Sequence, residues 1–139
     1  MNNKESSKNN YYLNSSILFF RTNFEKRLKF LKKKIYLFNE ISSFINNCID
    51  NTRDIFIFCA GNSLLAKNIK SKKIFVKEID EKYQINYNDN IEYTNEDTQN
   101  IISKCDTILI SDIEHQLNPT SNLLHLSNII KDDAKVIIL

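Results

Sequence analysis

The residues able to do chemistry gather where short apolar runs end. Ile55 to Phe58 form a β-branched and aromatic run that soon meets Gly61, the only glycine in the chain, and passes at once into a helix-compatible segment. A buried strand, a tight turn and a helix start account for that pattern. Asn62 and Ser63 are helix-capping types, and Leu64, Leu65 and Ile69 then share one face. A strand feeding a helix this abruptly offers free backbone N–H groups and the positive end of the helix dipole to a ligand above the strand. An ordinary β–α corner would read the same way, so the turn needs support from elsewhere. The next apolar run, Ile74 to Val76, closes on KEID. Its Glu78 and Asp80 stand at a strand C-terminus, where a carboxylate can hold ribose hydroxyls.

The elements that must position these groups follow from the spacing. Phe20, Phe24, Leu28, Leu31, Ile35, Phe38, Ile41, Ile45 and Cys48 recur every three or four residues, which predicts a long amphipathic helix, or two in series, interrupted by Lys32, Lys33 and Lys34. That stripe reads as core, since aromatic residues that stack on bases must stay exposed. Ile91 to Asp97 is expected to be a third strand, residues 98–104 a short helix, Cys105 to Ser111 a fourth strand, Leu123 to Ile130 a helix and Lys135 to Leu139 a fifth strand. Short strands alternating with helices predict βαβ units, a parallel sheet and a three-layer α/β fold, with every strand C-terminus on one edge.

Composition narrows the class. A chain of 139 residues with 42% hydrophobic content supports one domain with a real core. The expected division is a disordered tail over 1–16, a helical arm over 17–53 and a Rossmann-like domain over 54–139. No run of about 18 uncharged apolar residues occurs, and the N-terminus has no signal-peptide core, so a cytoplasmic protein without a membrane span is expected. Cys48, Cys59 and Cys105 are far apart and lack C-x-x-C spacing, which indicates neither a disulfide framework nor a metal site. The net charge of +2 divides unevenly: residues 1–53 carry ten Lys or Arg against four acids, and residues 54–139 carry nine against thirteen. A basic arm of this kind suits a solvated helix face, nucleic acid or an anionic surface.

From Ile55 to Leu139 the order of features resembles the first five strands of a class I S-adenosylmethionine-dependent methyltransferase. IFIFCAGNS is similar to the family's glycine-rich turn, KEID to its strand-two acid, IEYTNEDT to its strand-three segment and CDTILISDIEHQL to its strand-four motif. The resemblance implies a doubly wound parallel sheet in the order 3-2-1-4-5 and S-adenosyl-L-methionine as cofactor. It places Cys59, Ala60, Gly61, Asn62 and Ser63 at the turn and Glu78 on the ribose, with Asp80 as second choice. Asp97 goes to the adenine side, and Ser111 and Asp112 to the methionine end. The lead-in KKKIYLFNEISSF resembles the segment preceding this turn in methyltransferase domains associated with glycosyltransferases.

Such a site mainly binds, orients and excludes water while an acceptor attacks the methyl group. His115, beside Glu114, is the histidine placed to take a proton, with a structural or surface imidazole as the alternative role. His125, within the apolar Leu123 to Leu126 stretch, reads as a packed or surface residue, and Asp106 as a structural carboxylate. The acceptor is expected to be a small molecule, and possible acceptors include sugars, rather than nucleic acid. Departures from the pattern bear on activity. Ile57 stands where the family has an acid, and Cys59 and Ser63 replace two turn glycines. The family's two further strands have no counterpart after Leu139. A degenerate or truncated, non-catalytic relative that binds cofactor or a partner is therefore a second expectation, and an NAD-type Rossmann domain, which needs more glycines at the pyrophosphate, a third. An uncovered VIIL edge also leads to an expectation of self-association, or of a partner that supplies strands.

Overall fold

In the computed structural model the described residues are 18, 22–59, 63–78, 81–85, 87–94, 98–111 and 118–139. The elements are α1 (Phe24–Lys33), α2 (Ile35–Cys48), β1 (Asp54–Cys59), α3 (Ser63–Ala66), β2 (Lys73–Glu78), a 3₁₀ turn (Glu81–Tyr83), β3 (Ile91–Tyr93), α4 (Gln99–Ile102), β4 (Thr107–Ile110), α5 (Pro119–Ser127) and β5 (Lys135–Ile138). The strands form one parallel sheet in the order β3-β2-β1-β4-β5. The expected α/β architecture and strand order are thus present.

Alternation along the strands sorts the core into two layers. Ile55 and Ile57 of β1, Ile74 and Val76 of β2 and Leu109 of β4 share a cluster with Leu31, Phe38 and Ile45 of α1 and α2 and with Leu64, Leu65 and Ala66 of α3. Phe56 and Phe58, with Ile108 and Ile110, meet Ile102 near α4 and Leu126 of α5 on the opposite face. Successive strand side chains point to opposite faces, so a central parallel strand is apolar at every position. β1 meets that demand, because Ile55, Phe56, Ile57 and Phe58 are all buried.

The helical arm is integral to this domain. It consists of two helices broken at Lys34, whose backbone N–H donates to Leu31 O at 2.9 Å in a tightened turn. Leu31, Phe38 and Ile45 recur at seven-residue intervals and enter the same cluster, so the break does not rotate the buried face. The expected stripe nevertheless divides. Phe24 packs in the other cluster, edge-on to Tyr83 with ring centroids 4.8 Å apart. The first turn of α1 thus meets the 3₁₀ turn that follows β2, although Leu31 of the same helix belongs to the other cluster.

Several element boundaries differ from the sequence reading. α3 is a single turn and Ile69 is buried outside it. Polar groups of α2 take over the backbone there: Asn46 Nδ2 donates to Asn68 O at 2.9 Å, and Lys70 N–H donates to Asn46 Oδ1 at 2.8 Å. α5 begins at Pro119, well before Leu123. Proline suits a first helical turn, having no N–H to satisfy and a φ already set for the helix.

The opposite, amino-terminal ends of the strands are tied by charge. Asp106, just before β4, accepts Lys131 Nζ at 2.8 Å and Arg53 Nη1 at 3.4 Å on Oδ1, and the Asp54 N–H at 3.4 Å on Oδ2. Its backbone bridges the neighbouring strands, donating to Asp54 O at 3.0 Å and accepting from Lys135 N at 2.9 Å. The hydrogen bond from Lys131 holds the Asp106 carboxyl below its ordinary value, and the same bond raises Lys131. Nearby Cys105 is buried, and burial pushes its thiol up to about 12, with Asp54 and Asp106 adding to the shift. A neutral, covered thiol of this kind is inert.

A group whose folded-state pKa lies below its unfolded value stabilises the fold above the unfolded value and loses that contribution as pH falls through the folded one. Asp106→Asn should therefore melt lower than the parent at pH 7, by roughly 2–5 °C. The gap should close as the pH is taken below about 4, the ordinary carboxylate range. Thermal melts of both proteins across that range check this, and a gap constant with pH would rule the ion pair out as its cause.

Candidate functional site

The parallel sheet brings the carboxyl ends of β1, β2, β3 and β4 to one rim. Consecutive crossovers run β1 to β2 to β3 on one side, and the chain then returns to place β4 on the other side of β1. β1 thus leads on to a strand at one side and β4 to β5 at the other, and in open α/β sheets ligands bind where the strand order diverges in this way.

Cys59 and Glu78, the last residues of β1 and β2, are register partners. Glu78 continues the line of Ile74 and Val76, so strand alternation directs it to the same face, and it is 7% exposed. A carboxylate so nearly covered is costly unless partnered, and Glu78 has an interaction within the protein. Beyond β3, Thr94 is buried, and its N–H donates to Val76 O at 3.0 Å, extending the β2–β3 pairing to the rim. Thr98 is buried at the start of α4 and its carbonyl accepts from Ile101 and Ile102 at 3.1 and 2.8 Å.

Ser111 closes the β1–β4 side. Both its backbone N–H, at 3.2 Å, and its hydroxyl, at 2.9 Å, donate to Phe58 O. One carbonyl thus fixes the end of β4 against β1, and the hydroxyl proton is committed to the protein. The oxygen of Ser111 retains acceptor capacity.

The sequence-predicted positions divide between those on described segments and those beyond them. Cys59, Ser63, Glu78 and Ser111 fall at the strand ends or at the start of α3, and Cys59 and Glu78 end, and Ser111 directly follows, three strands that the sheet brings side by side. Ala60, Gly61, Asn62, Asp80, Asp97, Asp112 and His115 lie outside the described residues. Ser63 opens a helix of only four residues, which carries little of the macrodipole that a longer helix would aim at an anion. Ile57 is fully buried in the core, so its side chain offers the rim nothing. His125 of α5 meets α4: the Gln99 amide nitrogen lies 2.8 Å from its Nε2, and since an amide nitrogen only donates, that ring nitrogen is the acceptor.

The sequence reading missed the paired use of Phe58 O by Ser111 and the contact between Phe24 and Tyr83. Phe24 stands out in the pattern, but its partner lies 59 positions away in the chain. Among the described residues no group of three or more His, Cys, Asp or Glu is arranged to hold a metal ion, and no helix is long and apolar enough to cross a membrane. Comparison with protein-family models, curated proteins and solved structures gives no match to this chain.

Ser111→Ala should cost about 1 kcal/mol in urea unfolding at pH 7, the usual worth of one hydrogen bond, while the backbone bond to Phe58 O persists. Ser111→Thr, which keeps a hydroxyl, provides the comparison. An Ala variant as stable as the parent would mean that the side-chain bond contributes nothing.

Proposed function

We propose that the chain binds S-adenosyl-L-methionine at the carboxyl ends of β1, β2 and β4 and serves methyl transfer to a small-molecule acceptor, with sugars among the acceptors to try. The reading rests on one observation above the others: Glu78, a nearly covered carboxylate, ends β2 directly beside the end of β1 in a 3-2-1-4-5 sheet. A carboxylate there accepts hydrogen bonds from a vicinal diol, which suits a ribose. The sequence likeness of the turn and of the strand-four segment supports the same ligand.

Bound in this way, the cofactor supplies an electrophilic methyl group on a sulfonium, so the protein has little covalent work to do. Glu78 would hold the ribose. The turn residues Cys59, Ala60, Gly61, Asn62 and Ser63 would bring backbone close to the ligand, Asp97 would serve the adenine side, and Ser111 and Asp112 would border the methionine end. His115 is the residue proposed to accept a proton where the acceptor must lose one.

A second reading has its own observation. Ile57 is buried where a methyltransferase would present an acid to the methionine amino group. A protein that binds the cofactor or a partner without turnover accommodates that better than an efficient enzyme does, while an NAD-type site ranks below both. Partner binding draws support from β5, where Val136, Ile138 and Leu139 are exposed and no strand among the described residues covers the outer edge. Such an edge is a template for another strand. If it associates with itself, the mass in solution should rise with concentration, and Ile138→Lys should hold the protein monomeric.

Calorimetric titration with S-adenosylmethionine, S-adenosylhomocysteine and NAD separates the readings. The two methionine-derived ligands are expected to bind and NAD is not. Glu78→Ala should weaken S-adenosylmethionine by about tenfold or more, since hydrogen bonds to a charged acceptor are worth roughly 1.5–3 kcal/mol. Unchanged affinity in that variant would remove Glu78 from the ribose. Binding without transfer to any of a set of acceptors would favour the non-catalytic reading.

A further inference from the structure

We propose that the outer face of α1 and α2 docks on an anionic phospholipid surface. The two helices carry two parallel apolar lines. Leu31, Phe38 and Ile45 form the buried one, and Phe30, Leu37 and Phe44, each one position earlier, form the other. One residue corresponds to about 100° of helix rotation, so the second line stands well round from the core. Its members are exposed: Phe30 by 58%, Leu37 by 45% and Phe44 by 59%. Large apolar side chains scattered singly on a surface need no explanation, but three in register along two helices form a stripe.

Charge identifies what the stripe fits. Residues 24–34 hold six Lys or Arg and one acid, Glu25. Helical spacing places Lys26 and Lys33 on one flank of the stripe and Lys34 on the other, while Arg27 beside Lys34 is half-buried and engaged within the protein. Lys34 Nζ stands 5.9 Å from the centroid of the Phe30 ring, which joins the apolar and cationic parts of the surface. A shallow cleft of about 380 Å³ lined by Glu25, Leu28, Lys29, Lys32 and Lys33 continues the basic face around α1. The α1 part of the line is bordered by lysines and the α2 part by Glu40 alone among charged residues. An apolar line with such a cationic end matches a lipid interface, where aromatic and leucine side chains enter the acyl boundary and the ammonium groups remain among anionic headgroups. A second copy of this chain fits it poorly, because each copy brings six Lys or Arg against Glu25 and Glu40 along α1 and α2. Nucleic acid would leave Leu37, which has no π face, without a role.

Co-sedimentation of the full chain with phosphatidylcholine vesicles, and with vesicles containing about 30 mol % phosphatidylglycerol, tests the proposal. Partition should be at least about tenfold stronger onto the anionic vesicles and should weaken as salt is raised. Phe30→Ser, Leu37→Ser and Phe44→Ser combined should lower it by a further tenfold or so, since the apolar insertion is lost. All three positions face solvent, so the circular dichroism melt should match the parent. Lys26→Glu, Lys29→Glu and Lys33→Glu combined form a second variant on exposed positions and should abolish the preference for anionic lipid. Equal partition onto both vesicle types, no partition, or a triple serine variant that binds like the parent would each overturn the proposal, the last by reducing it to charge alone. So would vesicles left unbound while a synthetic amphipathic Glu/Leu helix binds the same face, which would assign the stripe to a protein partner.

Discussion

The molecule is organised by the need of β1 to be covered on both faces. With Ile55 and Ile57 directed to one side and Phe56 and Phe58 to the other, neither face can be left to water, and each requires its own helical layer. The branched side and the aromatic side receive different partners. α2 and the single turn α3 close over the isoleucines, and α4 and α5 over the phenylalanines. Parallel neighbours then follow, because chain that returns over a face to start the next strand in the same direction provides that cover as it goes.

Much of this could be read from residue types. IFIF, IFV and TILI announce strands buried on both sides, and the alternation through Ile74 and Val76 predicts the face on which Glu78 emerges. The strand order is different in kind, since periodicity gives no neighbour relations, and it came from the likeness of the motifs to a known family. Helix limits were least legible. Nothing local in LLAKNI forecasts that side chains from α2 would capture its backbone after one turn, because Asn46 and Asn68 are 22 positions apart. The arm was more legible. Two apolar lines, each with a seven-residue repeat, lie next to one another there, and the one that the longer three-and-four spacing picks out, with Leu31, Phe38 and Ile45, is the one that turns inward.

The rim was legible as a set of strand ends and less so as a set of partners. Glu78 and Ser111 were singled out by position, yet the hydrogen bond that commits the Ser111 hydroxyl depends on which carbonyl the sheet register leaves beside it. Phe24 was expected to join the same layer as Leu31 and instead meets Tyr83. One helix thus contributes to both core clusters, Leu31 to one and Phe24 to the other.

The ion network around Asp106 lies at the end of the sheet opposite the rim. Arg53, Asp54, Lys131 and Lys135, with Asp106, secure β1, β4 and β5 at their starts, whereas Cys59, Glu78 and Ser111 stand where β1, β2 and β4 finish. The charged groups that tie the strand starts are thus distinct from the residues of the proposed site, among which Ser111 adds its own tie between β4 and β1. Under the proposed function, change at the rim would alter what is recognised while the Asp106 network still holds the strand starts, and change at the base would adjust heat tolerance first. A site of that kind can exchange one ligand for another in small steps, each taken on a scaffold already secured from below.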